Sequence, residues 1–202
     1  YATEKVDYND MFEIDKWAMH KLEELKEKTT EYYDKYEFYN LFQEITYFCS
    51  IEMSSFYLDI VKDRLYCEGP KSLERRSAQT VLTEVLKVLV RIISPVLSFT
   101  AEEIWERIPA ALKEEESVHL SSWIEPNKKY RNEELAKKWE KIYHLKKEVN
   151  KKLEAQRQSG LIGHSLDARL LLNVKNEEYS FLKDYTEDEV SDLFIVSQTK
   201  FV

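Results

Sequence analysis

The chain has 202 residues, a formal net charge of −8 and 43% hydrophobic residues. This composition predicts a folded protein rather than a disordered one. The sequence contains no run of about eighteen apolar residues, so no membrane-spanning helix is predicted. Because the chain contains only three glycines and four prolines, we expect it to be mainly helical.

The first two helices are predicted from apolar residues that recur at helical spacing. Residues 11–35 place them three and four positions apart, between lysines and glutamates, which is typical of an amphipathic helix. Residues 36–67 continue the pattern and predict one helix of about 32 residues with a buried stripe. The expected stripe consists of Phe38, Phe42, Ile45, Cys49, Met53, Phe56 and Ile60.

Two cysteines lie in this second predicted helix. Cys49 and Cys67 would be roughly 27 Å apart along its axis, because each helical residue advances the chain by about 1.5 Å. A disulfide cannot span that distance. We therefore expect reduced thiols in a cytoplasmic protein, and the scattered histidines offer no zinc-ligand spacing.

A third helix is predicted over about 72–93. Ser94-Pro95 should bend or stop it, since proline lacks an N–H donor and crowds the preceding turn. The next helix is expected to begin with Thr100 as its N-cap, and Glu103 would complete a capping box. Replacing Thr100 with alanine should then cost about 1 kcal/mol of stability.

The rest of the chain predicts a charged connection, a basic helix and a small mixed module. The helix spans about 132–158, and its lysine-rich face, Lys146 included, would by default be solvated. Residues 166–174 alternate as a strand, residues 177–190 predict a short helix, and Leu193-Phe-Ile-Val196 predicts a second strand. The predicted units are residues 1–130, 131–159 and 160–202, with the basic helix packing on the bundle.

Aromatic and cationic side chains are concentrated around the turn between the second and third predicted helices. They occur in residues 55–66 (SFYLDIVKDRLY) and 73–80 (LERRSAQT). Unpaired RNA bases stack on flat rings, and guanidinium or ammonium groups bind phosphates. The pattern therefore favours a site for single-stranded RNA, but the same side chains also form ordinary helix-packing corners.

The distribution of charge is compatible with a polyanionic partner. Residues 56–100 carry seven basic and five acidic side chains, and residues 141–175 carry eight and three. Charges more than about 10 Å from a contact are largely screened. A local basic face can therefore bind nucleic acid although the whole chain is acidic.

Several longer motifs follow one another along the chain. They are Asp15-Lys-Trp-Ala18, Phe48-Cys-Ser-Ile-Glu-Met53, the 55–66 segment, Arg75-Arg-Ser-Ala-Gln-Thr80, Leu97-Ser-Phe-Thr-Ala-Glu-Glu-Ile-Trp105, Lys147-Glu-Val-Asn-Lys151, Glu154-Ala-Gln-Arg157 and Gly160-Leu-Ile-Gly-His-Ser-Leu-Asp167. Together they resemble the anticodon-binding domain of bacterial-type isoleucyl-tRNA synthetases, which are class I aminoacyl-tRNA synthetases. The resemblance covers about residues 10–175.

The resemblance implies a mainly α fold, with a helical bundle of the class I synthetase anticodon-binding type followed by a small α+β module. It also implies a piece of a longer enzyme, because the family's ATP-binding signatures do not occur here. The chain would bind isoleucine tRNA without catalysis and without a cofactor. ATP and magnesium, with zinc in many members, are implied only for the intact enzyme and its catalytic and editing domains.

The tRNA contacts implied by the resemblance fall into two groups. Arginine and glutamine can bond to base edges and tyrosine can stack on base faces, and Arg75 or Arg76 is the expected base reader. The candidates are Tyr57, Lys62, Arg64, Tyr66, Arg75, Arg76 and Gln79 at the corner, and Lys151, Lys152 and Arg157 on the basic helix for the phosphate backbone. Two of them have structural alternatives: Tyr57 could be buried, and Arg64 could pair with Glu68.

Two other functions fit the sequence. One is the anticodon-binding domain of a valine or leucine synthetase, although those families are less similar over residues 55–66. The other is a helical scaffold that binds a protein partner through an apolar or acidic surface and has no RNA role. An independent enzyme is disfavoured, because the sequence contains no recognisable phosphate loop, catalytic triad order or carboxylate pocket.

Overall fold

The computed structural model describes residues 5–175 and 177–202. They form two compact units, which divide between Asn132 and Glu133. The first unit is a helical bundle, and the second combines a long helix with a two-stranded sheet. This confirms the predicted mainly α fold with a small α+β module, whereas the packing of the basic helix on the bundle stays a prediction. None of the helices described is long and apolar enough to cross a membrane.

The first unit is organised around its first helix. Its elements are α1 (Glu13–Asp34), α2 (Phe38–Tyr47), a π-helix (Phe48–Leu58), α3 (Asp59–Tyr66), α4 (Leu73–Ile93) and α5 (Ser98–Arg107). Helix α1 contacts α2, the π-helix and α4, and it buries Trp17, Leu22 and Leu25 among them. The predicted bounds of the first and third helices agree with α1 and α4.

The helix predicted over residues 36–67 is continuous, but its hydrogen bonding changes in the middle. Leu41, Phe48 and Met53 are buried, whereas Phe38 and Phe42 are 48% and 66% exposed. The predicted stripe is therefore wrong at Phe38 and Phe42. The five-residue step from Phe48 to Met53 fits the i→i+5 hydrogen bonding of a π-helix. The prediction assumed a uniform α-helical period, and it therefore assigned the wrong residues before the π-helix to the buried face.

The junction between α4 and α5 confirms one prediction and corrects another. Helix α4 ends at Ile93, directly before the Ser94-Pro95 pair. Helix α5 begins at Ser98 with Leu97 as its N-cap, and the Leu97 carbonyl accepts the Ala101 N–H at 2.8 Å. Thr100 is already inside the first turn, so the predicted cap is wrong. No loss of cap stability is then expected from its replacement.

A half-buried ionic cluster lies on the middle of α1. Glu24 has Lys21 Nζ at 2.7 Å, His20 Nε2 at 3.3 Å and Arg131 Nη1 at 3.4 Å from its carboxylate oxygens. The His20 ring accepts the Asn132 N–H on Nδ1 at 2.8 Å, which holds its Nε2 on the side of Glu24. Burial alone would raise the pKa of Glu24, but the contacts with His20 and Lys21 outweigh it and lower the pKa to about 2.

The depressed pKa of Glu24 predicts a specific dependence of stability on pH. The folded chain binds a proton at Glu24 less readily than the unfolded chain, so this group stabilises the fold above its ordinary pKa of 4.5. That contribution should disappear as the pH falls from 4.5 towards 2. In urea melts, the difference in unfolding free energy between the wild type and Glu24→Gln should shrink over this range. A difference that does not change with pH would contradict the assignment.

The second unit corrects the prediction for the last strand. Its elements are α6 (Glu133–Gln158), β1 (Arg169–Leu172), α7 (Glu187–Phe194) and β2 (Gln198–Phe201), and the two strands are parallel. Leu193 lies in the last turn of α7, which Ile195 ends with a φ of 57°. A capping box between Thr186 and Glu189 begins α7. Parallel strands are joined by a crossover connection, and α7 forms part of it here. The start of the apolar run 193–196 therefore belongs to the end of α7, and the strand begins only at Gln198.

The basic face of α6 is only partly solvated. Lys151 and Lys152 are exposed, as the sequence predicted. Lys146 is only 3% exposed, and its Nζ donates a hydrogen bond of 2.8 Å to the Leu193 carbonyl. Its predicted place on the solvated face is therefore wrong, because the ammonium satisfies the C-terminal end of α7 instead.

Candidate nucleic-acid interface

The predicted corner is formed by the end of α3, residues 67–72 and the start of α4. The Cys67 N–H donates to the Asp63 carbonyl at 2.8 Å and closes α3. Arg75 connects the two sides: its backbone N–H donates to Ser72 Oγ at 3.3 Å, and its Nη1 donates to the Glu68 carbonyl at 3.0 Å. These bonds fix the path of the turn. The surface that the corner presents is therefore largely formed before any ligand arrives.

One aromatic ring projects from this corner into solvent. Tyr66, the last residue of α3, is 85% exposed, and Lys71 in the turn is also exposed. On α4, Arg76 and Gln79 are half-buried. Lys62 is half-buried on α3 and lies 3.1 Å from Asp59. The corner thus presents a ring for stacking together with cationic and amide groups, which suits unpaired RNA.

Tyr57 is not available to an RNA base. Its side chain is completely buried, and its hydroxyl donates a hydrogen bond of 2.7 Å to Asp15 Oδ1. Burial and the nearby carboxylate raise the pKa of Tyr57 well above its ordinary value, so the hydroxyl keeps its proton and acts as a donor. The prediction that Tyr57 contacts RNA is therefore wrong, and the structural alternative is correct.

Arg64 faces the start of α1 rather than Glu68. Its Nη1 lies 3.7 Å from Asp15 Oδ2, and its guanidinium carbon lies 4.6 Å from the centre of the Phe12 ring. The side chain keeps 28% of its surface exposed. Arg64 is therefore anchored on one side and still open to solvent on another.

Asp15 is the residue at this corner that sequence reasoning missed as part of the site. It is completely buried, and it accepts hydrogen bonds from Tyr57 and from Ser77 Oγ at 2.5 Å. Burial raises the pKa of Asp15 despite these donors and the charge of Arg64. The signal was its spacing, since Asp15 lies three and seven residues before Ala18 and Leu22 on the buried face of α1.

The second group of candidates belongs to the second unit. Lys151 and Lys152 are exposed on α6, and Arg157 near its end is also exposed. Arg157 Nη2 lies 2.6 Å from Glu154 Oε2, so part of its charge is already balanced. These side chains can contact phosphates, but they include no aromatic ring on which a base could stack.

An exposed aromatic group, which the sequence pattern did not predict, also surrounds the turn between α1 and α2. Its members are Tyr36, Phe38, Tyr39, Phe42 and Tyr47. The carboxylates of Glu31, Asp34, Glu37 and Glu44 lie in the same segments, with only Lys28 and Lys35 as cations. Because carboxylates repel phosphates, this group is less suited to RNA than the corner.

Comparisons with known proteins match this chain over most of its length. The family described as the anticodon-binding domain of tRNA ligase matches residues 15–172. An isoleucine–tRNA ligase of Kosmotoga olearia is 44% identical over 199 residues, which cover 98% of this chain and 22% of that protein. One of Petrotoga mobilis is 47% identical with the same coverage, and one of Thermotoga petrophila is 40% identical over 195 residues, 96% of this chain and 21% of that protein. The chain thus spans about a fifth of the length of these relatives.

Proposed function

The chain belongs to the family of anticodon-binding domains of tRNA ligases, and from this premise we propose that it binds the anticodon arm of isoleucine tRNA. The observation that carries the proposal is the corner itself. Tyr66 is almost fully exposed at the end of α3, Lys71 is exposed in the turn, and Arg75 and Arg76 lie in the first turn of α4. A solvent-exposed tyrosine among cations is what an unstacked anticodon base requires.

In the proposed mechanism, the corner contacts the unpaired bases of the anticodon loop, and α6 contacts the phosphate backbone of the RNA. Tyr66 stacks on an unpaired base, and Arg75, Arg76 and Gln79 approach base edges from α4. Lys62 and Arg64 add positive charge along α3. On α6, Lys151, Lys152 and Arg157 neutralise phosphates.

The chemistry of aminoacylation would belong to other domains of a longer synthetase. In such a cytoplasmic synthetase, isoleucine would be activated with ATP and magnesium, and the catalytic and editing domains would act on the 3′ end of the tRNA. Many members of the family would also hold zinc. We expect no isoleucine-dependent exchange of pyrophosphate with ATP from this chain alone. Exchange above the level of a mock purification would contradict this assignment.

The direct test of the proposed function is retention of labelled isoleucine tRNA on nitrocellulose at low salt. The matched control is the same tRNA with its anticodon replaced. Stronger retention of the unaltered tRNA supports the proposal. Equal retention of both would show that the chain does not recognise the anticodon, and a scaffold without an RNA role would retain neither.

Base readout by Arg75 or Arg76 can be separated from backbone contact. Replacing the base reader with alanine should cost about 1–3 kcal/mol of binding to the isoleucine anticodon loop, and much less with a base-substituted loop that already lacks the contact. Lys151→Ala and Lys152→Ala should weaken both loops alike and reduce the salt slope by roughly 0.7–0.9. Binding of two loops across a salt series measures both effects. If neither arginine variant changes the ratio between loops, base readout lies elsewhere.

A further inference from the structure

One buried carboxylate connects three helical segments beneath the corner. Asp15 in the first turn of α1 accepts the Tyr57 hydroxyl from the π-helix at 2.7 Å and the Ser77 hydroxyl from α4 at 2.5 Å. A fully buried carboxylate is costly unless donors satisfy it, and both of its oxygens are satisfied here. Asp15 therefore holds a fixed orientation relative to the start of α4 and the end of the π-helix.

The fixed carboxylate lies beside the guanidinium of Arg64. Arg64 Nη1 lies 3.7 Å from Asp15 Oδ2, which is an ion-pair distance rather than a hydrogen bond. The guanidinium carbon is 4.6 Å from the centre of the Phe12 ring, so the guanidinium also makes a cation–π contact. The charge of Asp15 and the ring of Phe12 together restrict the Arg64 side chain, which would otherwise occupy many rotamers.

Part of the Arg64 side chain is still accessible from solvent, although its Nη1 atom on the Asp15 side is buried. The Arg64 side chain is 28% exposed, and it lies on the same helix as the exposed Tyr66. RNA bases stack on the plane of an arginine as well as on aromatic rings. A side chain that is already ordered loses little further rotamer freedom on binding, so its contact gives more net affinity.

We propose that Asp15 is the positioning residue of the RNA-binding corner. It holds the Arg64 guanidinium against Phe12 in the orientation in which an unpaired base of the anticodon loop stacks on it. Asp15 itself does not touch the RNA, because it is completely buried. This inference rests on the proposed function, and it adds a stacking role for Arg64 and an indirect role for a residue without exposed surface.

The test is a double-mutant cycle, with an RNA hairpin of the isoleucine anticodon stem-loop as the probe. Arg64→Ala should lower affinity about tenfold, as expected for the loss of one stacked base. Asp15→Asn keeps the shape of the side chain and removes its charge, and it turns one of the two acceptors into a donor that the Ser77 hydroxyl can meet by rotating. It should lower affinity by about five- to tenfold. In the Arg64→Ala background, Asp15→Asn should have no further effect. Effects that multiply in the double variant, or an unchanged affinity for Asp15→Asn, would overturn the proposal.

The matched control is Glu24→Gln, which makes the same acid-to-amide change nine residues further along α1. It should leave RNA affinity unchanged, since Glu24 contacts Lys21 and Arg131 rather than the corner. If Asp15→Asn does not fold, Phe12→Leu removes the other support of Arg64 without burying an uncompensated group. It should weaken binding in the wild-type background and not in the Arg64→Ala background. If the wild-type chain itself does not bind the hairpin, the proposed function fails before the positioning role is reached.

Discussion

Replacing Trp105 with alanine is expected to lower the free energy of unfolding by about 3–5 kcal/mol. Trp105 on α5 is completely buried in a cluster with Val90, Ala101, Ile108 and Val118. Its indole N–H also donates to the Glu115 carbonyl at 3.0 Å. The substitution removes a large apolar contact and a hydrogen bond together, and it leaves a cavity in the core.

The matched control for this prediction lies on the same helix. Phe99→Ala also removes an aromatic side chain from α5, but Phe99 is 93% exposed. Its cost should remain within about 0.5 kcal/mol, as for other surface substitutions. Denaturant melts of the two variants give the comparison. A larger loss for Phe99 than for Trp105 would show that α5 is packed in the opposite orientation.

Replacing Tyr66 with alanine is expected to weaken binding of the isoleucine anticodon loop by about 1–3 kcal/mol, the range measured when a stacked base loses its aromatic partner. Tyr66 is highly exposed, so the same substitution should hardly change the stability of the bundle. Tyr66→Phe keeps the ring and should keep most of the affinity. Titrations of the loop with each variant, with melts alongside, measure both quantities.

A second aromatic control distinguishes the corner from the other exposed rings. Tyr39 is 75% exposed on α2, within the exposed aromatic group at the turn between α1 and α2. Tyr39→Ala should leave the affinity for the loop unchanged. A loss at Tyr39 without a loss at Tyr66 would place the RNA at the turn between α1 and α2.

The sequence predicted the long helices well, because each has a regular apolar face and a clear end signal. Helix α4 begins after the Ser72 cap and ends before Pro95, and both signals are local. The failures come from elements that depend on distant contacts. The π-helix shifts the buried face by one extra residue, and nothing in the local period indicates it. Thr100 also matched a capping box, but the Leu97 carbonyl begins α5 earlier.

Only part of the candidate site could be predicted from the sequence, again because burial and packing depend on distant contacts. Side-chain type and spacing predicted Tyr66, Arg75 and Arg76 around one turn, and they lie at the end of α3 and in the first turn of α4. Type alone could not separate an exposed tyrosine from a buried one, so Tyr57 was included wrongly. Asp15 lies 42 residues before Tyr57 and 62 before Ser77, and a contact over that separation exists only in the folded bundle.

The most direct test of the central claim is a hydrogen-exchange footprint of the full chain with and without the isoleucine anticodon stem-loop. We predict slower exchange over residues 59–80, which include α3, the turn and the start of α4. The turn between α1 and α2, at residues 34–42, should be unaffected. Protection of residues 34–42 with no change over residues 59–80 would contradict the assignment of the corner as the RNA interface.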